Sequence, residues 1–168
     1  GLYHNTLINN ICEGAVRGGD LEQFQNNIQE WAEWLSWATV VLDENDYLTA
    51  SVHALRLATK KLAKTDYGTA RQRDLGQQWT DAIRGLLGEI AFVKWIKERF
   101  GVSASLDFST GPTENYLSSD IIKINGRKPK LNLSIKTTKL RGVWLDIPYK
   151  QINDSDVFVL VRIGINRD

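Results

Sequence analysis

Asp120 opens an apolar run in "SSDIIKIN", and Lys136 ends the Ser-Ile-Lys of the following run "LNLSIKT", with Ser134 where a second acid could stand. These types suit phosphodiester hydrolysis. Attack of water on phosphorus builds negative charge on the phosphate oxygens and on the leaving oxygen. A carboxylate can hold Mg²⁺ against that charge, and the ion lowers the pKa of a bound water. A lysine beside it orients the attacking water and faces the same developing charge. One carboxylate alone holds magnesium weakly. A further acid of interest is Glu89, which shares a helical face with Ala82, Gly85, Phe92 and Ile96, where a carboxylate is costly unless something binds it.

Whether Asp120 meets Lys136 depends on the loop between the two runs, because only opposed residues of an antiparallel pair share a face. Asn125-Gly126 is a turn signal. A two-residue loop at Arg127-Lys128 would set Asp120 opposite Ile135. A three-residue loop, Gly126 to Lys128, sets it across from Ser134 and beside Lys136, with "NGRKP" supplying the glycine or a bulge. In the second run Leu131, Leu133 and Ile135 alternate with Asn132, Ser134 and Lys136, so Ser134 and Lys136 share the polar face.

Helical spacing dominates the first hundred residues. Leu21, Phe24, Ile28, Trp31 and Leu35 predict a helix ending near Leu42, and Asp43 to Asp46 cap a second with apolar positions Leu48, Val52, Leu55, Ala58 and Leu62. A third, Arg71 to Phe100, carries Trp79, Ile83, Leu86, Leu87, Ile90 and Val93, and Gly101 stops it. "VSASLDF" reads as a strand, and "DVFVLVRIGI" as a strand covered on both sides. The expected class is mixed α/β. The chain stops just after that last strand, where a covering helix is usual, so a truncated core or cover by an N-terminal helix is expected.

At 168 residues and 42% hydrophobic content, the chain can bury one core without disulfides, and Cys12 is the only cysteine. No apolar run approaches twenty residues and no signal peptide is evident, so membrane spanning and secretion are disfavoured and a cytoplasmic location is expected. Net charge is +1, but residues 1–70 hold 5 Lys/Arg against 9 Asp/Glu, and residues 71–168 hold 16 against 11. Between Lys123 and Lys150, 8 basic residues face the single acid Asp146, a footprint that suits a polyphosphate. Solvated surface lysines are the plainer reading of the same residues.

The order of "GLLGE" (Gly85 to Glu89) on a helix, "SSD" (Ser118 to Asp120) opening a strand and "SIK" (Ser134 to Lys136) on the next resembles the PD-(D/E)xK nuclease superfamily, over about Arg71 to Ile165. That resemblance implies a restriction-endonuclease-like mixed sheet flanked by helices. The helical N-terminal region at 1–70 lies outside the resemblance, and 71–168 is then the expected nuclease core, truncated at its C-terminal end if the covering helix is missing. Asp120 matches the metal-ligating Asp, Lys136 the catalytic Lys, and Glu89 the acid many members place on the first helix. Ser119 stands where Pro is common and Ser134 where the second acid stands; in Ser-x-Lys members a later Glu takes over, but Lys150 occupies that position here.

The implied ligands of Mg²⁺, with Mn²⁺ as a substitute, are Asp120, Glu89 and the Ile135 carbonyl, with Ser134 reaching the ion directly or through water. Asp146, Asp154 and Asp156 are weaker substitutes. Thr137, Thr138, Lys139 and Arg141, with Arg127, Lys128 and Lys130, are the candidate DNA contacts. The implied activity is magnesium-dependent cleavage of double-stranded DNA by a restriction-type endonuclease, as a homodimer, since a symmetric duplex site needs two active sites about a two-fold axis. Another nuclease of the superfamily (junction resolvase, repair nuclease or toxin domain), a catalytically inactive DNA-binding module, and an interaction protein with an incidental basic hairpin are the alternatives.

Plainer readings stand beside each of these. Asp120 and Lys136 can form an ordinary cross-strand ion pair, and Glu89 can pair with Arg84, Arg99 or a hydroxyl. Trp31, Trp34 and Trp37 fit core or subunit packing better than base stacking, whereas Trp144 is the better candidate for touching DNA. His4 and His53 show no metal-ligand spacing and are given no role.

Overall fold

The computed structural model describes residues 21–63, 74–108, 119–139, 147 and 152–164, side chains at 21–27 and 60–63 excepted. Arg141, Trp144, Asp146, Lys150, His4 and Cys12 lie outside the described residues. The described part is mixed α/β, with helices α1 (Leu21–Trp37), α2 (Glu44–Ala63) and α3 (Leu75–Phe100) and strands β1 (Ala104–Leu106), β2 (Ile121–Ile124), β3 (Leu133–Lys139) and β4 (Val157–Ile163). The chain forms two compact units, residues 1–39 with 165–168 and residues 40–164. None of the described helices is long and apolar enough to cross a membrane.

The first unit contributes α1. It stops at Trp37, short of the expected Leu42, because the Thr39 hydroxyl donates to the Leu35 carbonyl (2.6 Å) and the β-branched run Thr39-Val40-Val41 disfavours continuing. Ile28 is buried, but Trp31, Trp34 and Trp37 are exposed, so the tryptophans are not core residues as one of the two expected packings required.

In the second unit, α2 starts from a reciprocal cap. The Asp46 N–H donates to Asp43 Oδ1 (3.1 Å) and the Asp43 N–H to Asp46 Oδ2 (2.9 Å). Lys94 of α3 donates to both carboxylates, at 3.0 and 2.7 Å, and so fastens the start of α2 to α3. These bonds hold Asp43 below the usual carboxylate range, through the Asp46 amide first and Lys94 second. Lys94→Met keeps the aliphatic stem but removes the clamp, and its thermal midpoint at pH 7 is expected to lie a few degrees below that of the parent. An unchanged midpoint would show that the clamp adds nothing to stability.

The inward face of α2 agrees with the expected one only at Ala58. Ala58 is fully buried together with Ala50 and Ala54, whereas Leu48, Val52 and Leu55 are exposed. Alanines four apart make a flat stripe on which a neighbouring helix can lie close. Leu86 and Leu87 of α3 fill against Ala50 and Ala54, with Leu57, Ile83, Ile90, Phe108 and Ile163 around them, and the Trp79 indole N–H donates to the Ser51 carbonyl at 3.0 Å. Side-chain size, rather than apolar spacing, thus chose the face.

Helix α3 starts at Leu75, not Arg71, because Asp74 caps it by accepting the Gln77 N–H at 2.7 Å. It ends as expected at Gly101, whose φ of 65° turns the chain left-handed while its N–H returns to the Lys97 carbonyl.

The expected β2–β3 hairpin is not formed. Instead β1 pairs antiparallel with β2, and β3 pairs parallel with β4 from Leu133↔Val157 to Lys139↔Ile163. Asn125 and Gly126 take φ of 48° and 77°, closing a tight two-residue turn in which Ile124 and Arg127 exchange both backbone hydrogen bonds. The next hydrogen-bonded position on the returning chain falls on Pro129, which has no N–H to give. The ladder therefore stops after one rung. β4 is also less covered than its sequence suggested, half-buried from Phe158 to Val161 and exposed at Val157 and Arg162.

Candidate functional site

Asp120 joins the two sheets. Its N–H donates to the Leu133 carbonyl (2.8 Å), and its carboxylate accepts the Ile135 N–H. Ser119 adds a second tie, its hydroxyl donating to the Ile121 carbonyl (2.9 Å) and accepting the Leu133 N–H (3.1 Å). Asp120 thus meets the β3 backbone at Ile135, neither across from Ser134 nor through a ladder. In extended backbone the N–H and C=O of one residue face the same edge. The Ile135 carbonyl therefore lies on the edge of β3 that Asp120 occupies.

Glu89 is brought to β3 by a close helix–strand contact. A Cβ built on Gly88 would fall 1.8 Å from Thr137 Oγ1 and 2.8 Å from Thr137 Cβ, so only glycine lets α3 approach this far. The Thr137 hydroxyl donates to the Gly85 carbonyl at 3.3 Å, fixing the same contact, whereas a Cβ on Gly85 would meet nothing within 4 Å. The two glycines of "GLLGE" therefore do different jobs, and Thr137, a candidate DNA contact, is a packing residue facing α3.

Electrostatics ties Glu89 to Asp120 and Lys136. Burial pushes the Glu89 carboxyl up to about 8, the negative charges of Asp120 and Asp107 add to the rise, and Lys136 opposes it. Burial also raises Asp120, against the Ile135 amide and Lys136, with Asp107 adding to the rise. Lys136 acts on both acids through space, and no Asp120–Lys136 ion pair is present among the described residues. Arg84, the considered partner of Glu89, bonds instead to Asp81 at 3.2 Å.

Asp107 was not singled out in the sequence. It follows β1 after an irregularity between Ser105 and Leu106, and its N–H donates to the Asp120 carbonyl at 3.3 Å. Phe108, next along, joins the core and stacks on His53, with ring centroids 4.2 Å apart. Its only sequence signal is an acid at the end of a short strand preceding "SSD".

Ser134 is buried in β3, on the Lys136 side by alternation. Arg127, Lys128 and Lys130 are exposed around and after the β2 turn, Lys139 is exposed at the end of β3, and Thr138 is half-buried. Asp156 accepts the Asn132 N–H (2.8 Å) and so ties the starts of β3 and β4, while Asp154 is exposed in the connection before β4.

No family model, curated protein or solved structure matches the chain.

Among the described residues no group of three or more His, Cys, Asp or Glu side chains is arranged to hold a metal ion. Magnesium does not require one, since it commonly binds through one or two carboxylates and keeps waters and substrate phosphate as its other ligands. Glu89, Asp120 and the Ile135 carbonyl are the oxygen donors that could serve an ion in that way. The charge of Asp120 disfavours ionisation of the buried Glu89 carboxyl, so a cation binding there would displace the Glu89 proton.

Proposed function

We propose that this chain is a magnesium-dependent endonuclease of the restriction type, hydrolysing phosphodiester bonds in double-stranded DNA, with a restriction-endonuclease-like core and a homodimeric assembly. The observation that carries this reading is that Asp120 and Lys136 both act on the buried Glu89 carboxyl, where Gly88 lets α3 touch β3 and the Asp120 carboxylate bonds to the Ile135 amide. Asp120 and Glu89, with the Ile135 carbonyl, would hold Mg²⁺, or Mn²⁺ in its place. When bound, the ion neutralises charge on the phosphate oxygens and acidifies a coordinated water.

The chain's own groups supply the rest. The Ile135 amide holds the Asp120 carboxylate in one orientation. The Lys136 ammonium offers hydrogen bonds to the attacking water and to a phosphate oxygen, so its charge meets the one that grows during attack. Asp107, held against the Asp120 backbone, adds negative charge that favours a cation at the site. Arg127, Lys128, Lys130 and Lys139 give phosphate contacts that orient the duplex without reading its sequence.

Ser134, buried where an acid would complete the motif, favours a second reading, in which the chain binds DNA without cutting it. Plasmid incubated with protein and Mg²⁺ separates the two. The parent is expected to yield discrete fragments, and Lys136→Ala to cut at least a hundredfold more slowly. Uncut plasmid that is nevertheless retarded by the parent would favour the non-cutting reading, and equal cutting by Lys136→Ala would remove the lysine's role.

A further inference from the structure

Where Pro129 halts the ladder, the chain leaves β2 and returns to β3 only at Asn132, and a groove of about 280 Å³ opens between them. Its lining is Ser119, Ile121, Ile122, Lys123, Lys128, Pro129 and Asn132. Ile121, Ile122 and Pro129 make it mainly apolar, and Ile121 is fully buried beneath it. Lys123 and Lys128 are exposed, and among the described residues neither has an acidic partner.

Two lining residues are held in place by their backbone or hydroxyl. The Ser119 hydroxyl is spent on the Ile121 carbonyl and the Leu133 N–H, so it serves as wall. The Asn132 N–H donates to Asp156, and its carbonyl accepts the Asp156 and Val157 amides, which fixes the residue, while among the described residues its side-chain amide has no hydrogen-bond partner and offers an acceptor and two donors. Asp120 directly follows Ser119, so the groove adjoins the candidate site.

An apolar groove edged by two cations and one amide suits a ligand that is apolar on its faces, polar along one edge and anionic at one end. A nucleotide has this form. At about 280 Å³ the groove is slightly smaller than common ligand sites, so it suits no more than one base with its sugar phosphate partly in solvent. We propose that this groove is a nucleotide subsite that takes one unpaired nucleotide of the substrate strand. The base lies against Ile122 and Pro129, its edge meets the Asn132 amide, and the phosphate meets Lys123 and Lys128. A paired base cannot enter, so the nucleotide is one extruded from the duplex or standing at a strand end. Its place beside the scissile phosphate rests on the hydrolytic reading above; the groove's affinity does not.

The test uses the whole chain in EDTA, with NMR titration of a deoxynucleoside 5′-monophosphate, deoxyribose 5-phosphate and inorganic phosphate. The nucleotide is expected to shift the amides of Ile122, Lys123 and Asn132 and to bind at least tenfold more tightly than either phosphate compound. Lys123→Gln with Lys128→Gln, both on exposed positions, is expected to lose tenfold or more of that affinity. Equal affinity for nucleotide and inorganic phosphate, or shifts confined to other residues, would overturn the subsite. Nucleotide binding alongside uncut plasmid would uphold the groove and remove the hydrolytic reading, and cut plasmid without nucleotide binding would do the reverse.

Discussion

Glu89→Gln is expected to melt at a higher temperature than the parent in EDTA above pH 8, and to leave plasmid DNA uncut with Mg²⁺ present. The acid's ordinary value of 4.5 applies to the unfolded chain, and burial raises it to about 8 in the fold. Between these values the folded chain keeps a proton that the unfolded chain has released. The parent's stability from this group is therefore complete below pH 4.5 and is lost as pH rises through 8. The loss amounts to no more than about 5 kcal/mol, the free-energy equivalent of the raised pKa. Glutamine never ionises, so the difference in midpoint between variant and parent should be near zero at pH 4 and should grow to a plateau above pH 8. A difference independent of pH would show that Glu89 is not held in a desolvated, acid-rich place. Gain in stability with loss of cutting is the signature of a group kept for function at a cost to the fold.

Two neighbouring glycines should respond to the same substitution in opposite directions. Gly88→Ala places a methyl within 1.8 Å of Thr137 Oγ1 and close to two further Thr137 carbons, and the threonine is too short to swing its Cβ away. Overpacking of this kind costs about 1–3 kcal/mol. The larger effect is on the site, because relief of the clash moves α3 off β3 and carries Glu89 with it. A displacement of about 1 Å can cost a hundredfold in rate. Gly85→Ala meets open space, keeps the carbonyl that Thr137 uses and gains helix propensity, so it should be neutral or stabilising by up to about 1 kcal/mol, with cutting retained. Thermal melts and plasmid digestion on the two variants check both outcomes. Equal behaviour would mean that the Gly88–Thr137 contact does not position the glutamate.

Local signals were legible in the sequence, and long-range geometry much less so. Asp43 to Asp46 as a cap and Gly101 as a stop depend on a few adjacent residues, and both were found where the letters placed them. The mixed α/β class followed from the change of period after Gly101. The hairpin failed because one proline removed a donor at the second rung, a veto that hydrophobic alternation does not express. On α2 apolar spacing points to leucine and valine as well as Ala58, whereas close packing on α3 selects the alanines, so only Ala58 of the expected positions shown faces inward. Asp107 carried no periodic signal; its relation to Asp120 arises from a β1–β2 pairing formed across the intervening chain. The Ile135 carbonyl was named through the resemblance, while the amide of the same residue, which orients Asp120, became visible only in the fold.

A calorimetric titration of Mg²⁺ and of Mn²⁺ at pH 7, repeated in buffers of different ionisation enthalpy, bears most directly on whether Glu89 and Asp120 share one cation. Since Glu89 holds its proton at that pH, the parent should bind the ion with release of close to one proton, and Asp120→Asn and Glu89→Gln should each lose tenfold or more in affinity, the latter with no proton released. Ion binding that is unchanged in both variants, or absent from the parent at millimolar concentration, would contradict a divalent-cation site at Glu89 and Asp120.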